Sequence, residues 1–212
     1  MSDSHLTKRD EMLKRIFDLG LATIGILVTA PVTIVAVLLA SVDTRQSGLF
    51  RQERVGRNGA TFGVLKIRTM RRSAQTTTVT TSNDSRITSL GRLLRKWKID
   101  ELPQLVNVLR GEMSLVGPRP DVRGFADLLE GNDRRILSVR PGITGPSSLA
   151  YRHEQELLAG VSDPVAYNRD VLWPAKVRIN LDYVDNYSLR TDIRCIVGTV
   201  ASVLDRGEGY KV

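Results

Sequence analysis

Between Leu19 and Val42 the chain runs for 24 residues without a single charge. A helix of that length is long enough to cross a hydrocarbon core of about 30 Å. The run is too long for a cleavable signal peptide, and no small-residue cleavage site follows it. Pro31 sits at its midpoint, where it removes a backbone hydrogen bond and bends or breaks a helix. Thr29 and Thr33 flank the proline and can satisfy the freed groups. Basic residues stand on both sides, Lys8, Arg9, Lys14 and Arg15 before the run and Arg45, Arg51, Arg54 and Arg57 after it. Positive charge marks the cytoplasmic flank of a membrane segment, and one crossing cannot put both flanks there. A helix that dips in, turns at Pro31 and returns satisfies both observations; a single kinked span is the competing reading.

The charge balance bears on partners. Thirty-one Lys and Arg against 23 Asp and Glu leave a net charge of +8, which favours anionic lipid, nucleotide phosphate or nucleic acid. No nucleic-acid-reading motif accompanies the basic residues, so no nucleic-acid partner is expected. One cysteine, Cys195, excludes an internal disulfide, and its apolar neighbours at helical spacing predict a buried filler. Two distant histidines, His5 and His153, give poor support to a His-rich zinc site or a Ser-His-Asp triad.

Beyond the apolar run, 49–53 and 61–69 read as strands around the turn residues Gly56-Arg57-Asn58-Gly59. Period two puts Lys66 and Arg68 on one face of the second strand, either lining a polar site or pointing to water. Residues 73–86 are polar and long for a connection, as a lid over a site would be. From Thr88 a helix is predicted, with Leu90, Leu93, Leu94 and Trp97 at helical spacing among Arg92, Arg95, Lys96 and Lys98. That mixture suits a helix lying on anionic headgroups as well as an ordinary amphipathic one. Pro174 is placed to open a later helix with Val177, Leu181 and Val184 on its apolar stripe. Asp192 is placed to begin the last helix, with Ile193, Ile196, Val197, Val200 and Leu204 on one face.

The chemistry-bearing segment is Ile99-Asp100-Glu101-Leu102-Pro103-Gln104-Leu105. Asp100 can simply cap the next helix, with Glu101 in its first turn. Adjacent carboxylates can also share a magnesium ion, which takes hard oxygen ligands and bridges to substrate phosphates. A carboxylate is a nucleophile without a partner base, being ionised already at neutral pH. Arg119 stands between Pro118 and Pro120, which hold the backbone around a guanidinium whose fork fits two phosphate oxygens. Arg140-Pro141-Gly142-Ile143-Thr144-Gly145 is a second stiff, turn-rich stretch.

Taken together, these residues resemble the bacterial sugar transferase family, the small monotopic phosphoglycosyl transferases. The likeness runs through Lys14-Arg15-Ile16-Phe17-Asp18, Arg54-Val55-Gly56, Lys66-Ile67-Arg68-Thr69-Met70 and Leu94-Arg95. It continues over the unbroken stretch from Asp100 to Ser114, then Gly117-Pro118-Arg119-Pro120, and ends near Gly145. Ile67 and Ile99 replace the usual phenylalanine and leucine without touching the chemistry.

The resemblance implies an α+β, mostly helical fold. A re-entrant membrane helix hinged at Pro31 (residues 1–45) would precede a small catalytic domain (residues 46–212) with a short β-hairpin and surface-lying amphipathic helices. It implies Asp100 as nucleophile, Glu101 as its support, both as ligands of Mg2+, and Arg119, Lys66, Arg68 and Arg95 as phosphate contacts. The implied reaction passes a phosphosugar from a UDP-sugar to polyprenyl phosphate through Asp100, releasing UMP. The implied setting is the lipid of the bacterial inner membrane, with the catalytic domain facing the cytoplasm and no further membrane spans. A non-catalytic, basic, membrane-tethered scaffold for polysaccharide enzymes is the alternative.

Overall fold

A computed structural model describes residues 6–72 and 84–204; most of the expected lid, residues 73–83, lies outside the described residues. The apolar run belongs to α1 (Lys8–Thr44), capped by Thr7, whose side chain accepts from the Asp10 backbone N–H at 3.1 Å. Asp10 and Glu11 complement the positive end of its dipole. At 37 residues it is about 55 Å long. The backbone stays helical through Pro31, and the Thr29 hydroxyl donates to the Gly25 carbonyl at 2.7 Å. α1 buries small residues, Ala22, Ala36 and Ala40, and turns Leu27, Val28 and Val42 outward at 71–79% exposure. A helix from the core of a water-soluble domain would bury those side chains. α1 is long and apolar enough to cross a membrane, and such an uncovered surface belongs in lipid.

The base of α1 is bolted to the rest of the chain by its polar residues. Asp18, 2% exposed, accepts from the Ser114 hydroxyl at 2.7 Å and the Leu115 N–H at 3.0 Å. Arg15 donates to the carbonyls of Val108 and Leu109. Lys14 forms a buried ion pair with Asp192 at 2.5 Å, and the Tyr183 hydroxyl donates to the other Asp192 oxygen at 2.7 Å.

The expected hairpin forms from β1 (Leu49–Val55) and β2 (Thr61–Ile67), antiparallel with Leu49 opposite Ile67 and Val55 opposite Thr61. Asn58 and Gly59 make the turn with positive φ. β2 ends two residues earlier than expected, the Arg68 N–H making one further backbone bond to the Gly48 carbonyl at 2.7 Å before the strands part. α2 (Ser89–Lys96) follows, capped by Thr88, which accepts from the Gly91 N–H at 2.8 Å. α2 leaves Leu93 and Trp97 exposed.

Lys98, at φ 56°, then reverses the chain into a tight turn over Ile99–Glu101. α3 (Gln104–Arg110) starts after Pro103 and is closed by Gly111 at φ 79°. Asn107, fully buried, stitches α3 to the hairpin by donating to the Gly63 carbonyl and accepting from the Leu65 N–H.

Two short strands, β3 (Ser114–Val116) and β4 (Gly142–Thr144), pair in parallel and unite the two proline-rich motifs. Gly117 donates to the Thr144 carbonyl and Gly142 to the Pro118 carbonyl, both at 2.9 Å. The backbones touch so closely that a Cβ on Gly142 would stand 2.1 Å from the Gly117 nitrogen. The chain continues through α4 (Pro146–Ala150), α5 (Glu154–Ala159), α6 (Pro164–Tyr167), α7 (Trp173–Asp185) and α8 (Leu189–Leu204). Pro174 opens α7 as expected. Val64, Val108, Met113, Val116, Tyr183, Val184 and Cys195 meet in one core cluster, so the cysteine is buried filler. Asp192 does not start α8; it lies inside the first turn, at zero exposure, as the partner of Lys14. The predicted stripe of α8 faces outward at Ile193, Val197, Val200 and Leu204.

Candidate active site

The left-handed residue Lys98 tilts the following turn so that Asp100 and Glu101 both point inward, at 9% and 8% exposure. The capping reading of Asp100 does not hold: α3 begins after Pro103 and has no side-chain cap. Asp100 Oδ1 is instead buried without a hydrogen-bond partner among the described residues. An ionised, partnerless carboxylate oxygen is costly to bury, and natural sites keep one where it must meet a cation or an electrophile. Burial, then the neighbouring Glu101, push the Asp100 carboxyl above the ordinary carboxylate range, and Lys66, Lys98 and Arg95 oppose them.

Glu101 is the paired member of the two acids. Arg119 Nη2 donates to its Oε1, and Lys66 Nζ lies 3.9 Å from the same oxygen. Burial alone would raise its pKa, but Arg119, Lys98 and Lys66 outweigh it and hold the carboxyl well below the usual range. Lys66 carries the opposite strain. Its burial, and next the positive charge of Arg119, bring the ammonium down from 10.5 to about 8.

The other expected cations arrive from different elements. Arg95 on α2 donates to the Thr69 hydroxyl at 2.8 Å, which orients it off the end of β2. Arg68 donates to the Ser47 carbonyl at 2.8 Å and lies over the Phe50 ring, 4.9 Å from its centroid. Asp100, Glu101, Lys66, Arg68, Arg95 and Arg119 all line one cleft of about 790 Å³.

Several further cleft residues were not assigned to the site from the sequence, Arg54 and Asp121 among them. Arg54 donates to Gln52 and lies 4.0 Å from Asp121, which follows the second proline beside Arg119. The period-two placement of Gln52 and Arg54 on β1 was a usable signal for the first; nothing local marked Asp121.

Magnesium takes hard oxygen donors. Among the described residues no three Asp, Glu, His or Cys side chains gather into a metal cage. An ion here would draw on the unpartnered Asp100 oxygen and its neighbour Glu101, with diphosphate oxygens and water completing its shell, as suits magnesium. The residues fit that role.

Residues 9–206 match the family described as bacterial sugar transferase. The chain belongs to that family. Among the most similar bacterial sugar transferases and related proteins is the exopolysaccharide production protein PSS of Rhizobium leguminosarum bv. phaseoli. It is 37% identical over 211 residues, covering 95% of this chain and 100% of that protein. A UDP-glucose:undecaprenyl-phosphate glucose-1-phosphate transferase of Caulobacter vibrioides is 34% identical over 205 residues, 94% of this chain and 73% of that one. The Escherichia coli protein of the same description is also 34% identical, with 93% of this chain aligned to 41% of that longer protein.

Proposed function

We propose that this bacterial sugar transferase moves a sugar phosphate from a UDP-sugar to a polyprenyl phosphate, with Asp100 carrying it in between. The Asp100 carboxylate attacks the sugar-bearing phosphorus, an aspartyl–phosphosugar acyl phosphate forms, the phosphoanhydride breaks and UMP leaves with the electron pair. A phosphate oxygen of the polyprenyl phosphate then attacks the same phosphorus, and the Asp100 carboxylate departs unchanged. The observation that carries this reading is the buried, unpartnered Asp100 oxygen in a cleft ringed by Lys66, Arg95 and Arg119, beside an uncovered apolar helix. The relatives described as UDP-glucose:undecaprenyl-phosphate glucose-1-phosphate transferases support the same class of reaction.

Each residue has a part. Arg119, held by Glu101, neutralises charge on the transferred phosphate. Lys66 and Arg95 take the remaining phosphate oxygens, and Arg68 guards the rim. Magnesium bound through Asp100 and Glu101 would supply further neutralisation of the diphosphate. Residues 1–45 serve as anchor and 46–212 as catalytic domain. The basic residues on both sides of the apolar run favour a monotopic anchor that turns at Pro31 and returns to the cytoplasmic face of the inner membrane, although α1 itself runs through Pro31 without a break. A prenyl tail cannot leave the bilayer, so the anchor holds Asp100 at headgroup depth.

The test is Asp100→Asn in lipid nanodiscs, given a panel of UDP-sugars, undecaprenyl phosphate and magnesium, with UMP as the readout. The wild type releases UMP, and a sugar-phosphate adduct maps to Asp100 by mass spectrometry when acceptor is withheld. The variant folds and releases none. Near-normal UMP release by Asp100→Asn refutes the mechanism.

A further inference from the structure

The cleft has two unlike halves. On the α2 side its wall carries Arg92, Arg95 and Lys96. Beyond Arg119 it carries Asp121, Phe125, Ser148, Tyr151 and Glu154, with Arg152 and His153 among them, a mixture of acids, hydroxyls and aromatic rings that is less uniformly basic than the α2 wall.

Displacement at phosphorus keeps the attacking and leaving oxygens roughly in line. If Asp100 attacks first and a lipid phosphate attacks the resulting acyl phosphate second, the lipid phosphate enters along the line by which UMP left. One phosphate pocket therefore serves the departing nucleotide and the arriving lipid in turn, and an arginine wall suits both anions. That wall is also the one a headgroup reaches, because α2 packs on α1 and exposes Leu93 and Trp97. The sugar hangs from the same phosphorus by an oxygen that neither enters nor leaves. It projects out of that line, away from the phosphate pocket.

Resting on the transfer reaction above, we propose that the half of the cleft beyond Arg119 is the sugar subsite, with Asp121 and Ser148 binding the hydroxyls of an uncharged hexose. Ser148 Oγ is buried and has no hydrogen-bond partner among the described residues. Asp121 is partly buried and its nearest ion-pair contact, to Arg54, is long at 4.0 Å. Glu154, by contrast, is closed by Lys176 at 2.5 Å. A carboxylate takes hydroxyl donors through short, charge-assisted bonds. The same carboxylate repels a sugar that carries its own. Phe125, set edge-on against Trp173 with centroids 5.5 Å apart, offers a fixed ring at this end of the cleft.

The experiment measures single-turnover UMP release from UDP-glucose, UDP-galactose and UDP-glucuronate, with UDP as competing inhibitor. Ser148→Ala and Asp121→Asn are expected to lower kcat/KM for the preferred neutral UDP-hexose about tenfold each, the order of one lost hydrogen bond to a ligand. Inhibition by UDP, which lacks the sugar, stays within about twofold and reports that each variant is folded. Asp121→Asn also narrows the preference for that hexose over UDP-glucuronate. The proposal is overturned if both variants keep wild-type kcat/KM, or if UDP inhibition weakens as much as turnover. A wild-type protein that releases UMP from no UDP-sugar in a wider panel overturns the transfer reading itself, and this subsite with it.

Discussion

Lys66 puts activity and stability in opposition, and the opposition can be measured. Its ammonium titrates at about 8 instead of 10.5, chiefly through burial and then through the charge of Arg119. That displacement corresponds to on the order of 3 kcal/mol disfavouring the charged form in the folded chain. The folded protein binds fewer protons than the unfolded one between pH 8 and 10.5, so stability rises through that window. Below about 8 both states are protonated and the whole cost is present. Phosphate binding needs the ammonium, so turnover follows the opposite course.

The fraction of charged Lys66 falls about tenfold between pH 7 and pH 9. Pre-steady-state UMP release without acceptor should therefore lose about tenfold in kcat/KM over that range, since the diphosphate of a UDP-sugar does not titrate there. Lys66→Arg keeps its charge and should flatten the alkaline limb. Lys66→Met should lose at least about 100-fold in UMP release and unfold no earlier than wild type, because Glu101 keeps Arg119. A wild-type profile flat from pH 7 to 9, or an alkaline limb that persists in Lys66→Arg, refutes the reasoning.

Two further outcomes test the framework around the site. Asp18→Ala leaves the buried Ser114 hydroxyl and Leu115 N–H unpaired, a loss of about 2–5 kcal/mol in thermal unfolding in nanodiscs, with Asp18→Asn costing about half as much. Gly142→Ala drives a methyl group into the Gly117 backbone, which cannot yield as a flexible side chain would. It should cost about 2–4 kcal/mol, lower Tm by about 5 °C or more, and weaken UDP-sugar binding through the displaced Arg119.

Local elements were legible wherever a short-range rule governs them. The hairpin followed from alternation around a turn with positive φ, α2 from its Thr88 cap and spaced leucines, and the start of α7 from Pro174. Asp100, Glu101 and Arg119, which the fold brings to one cleft, could be singled out because they stand in rigid, motif-dense stretches. Tertiary partners were not. Nothing local says that the Gly117 and Gly142 motifs pair in parallel, since strands of three residues carry no usable period. Asp192 carries the mark of a helix start, and only the folded chain brings Lys14 to it. Of the stripe expected on α8, Ile193, Val197, Val200 and Leu204 share an outward face while Ile196 packs against the core; a period does not say which way a face turns. Asp100 looked like a cap because caps are what isolated Asp residues before helices usually are; the left-handed Lys98 moved the helix start past it.

The buried pair of Lys14 and Asp192 joins residues 178 positions apart, and this sets a schedule for biogenesis. Lys14 leaves the ribosome 178 residues ahead of its counter-ion. At ordinary translation rates the interval is on the order of 10–30 s. Throughout that time Lys14 keeps its water, and the foot of the anchor is held only by the Arg15 and Asp18 contacts to residues 108–115. A nascent chain stalled before residue 192 thus holds its anchor helix in an incomplete seat, which quality-control proteases can tell apart from the finished enzyme.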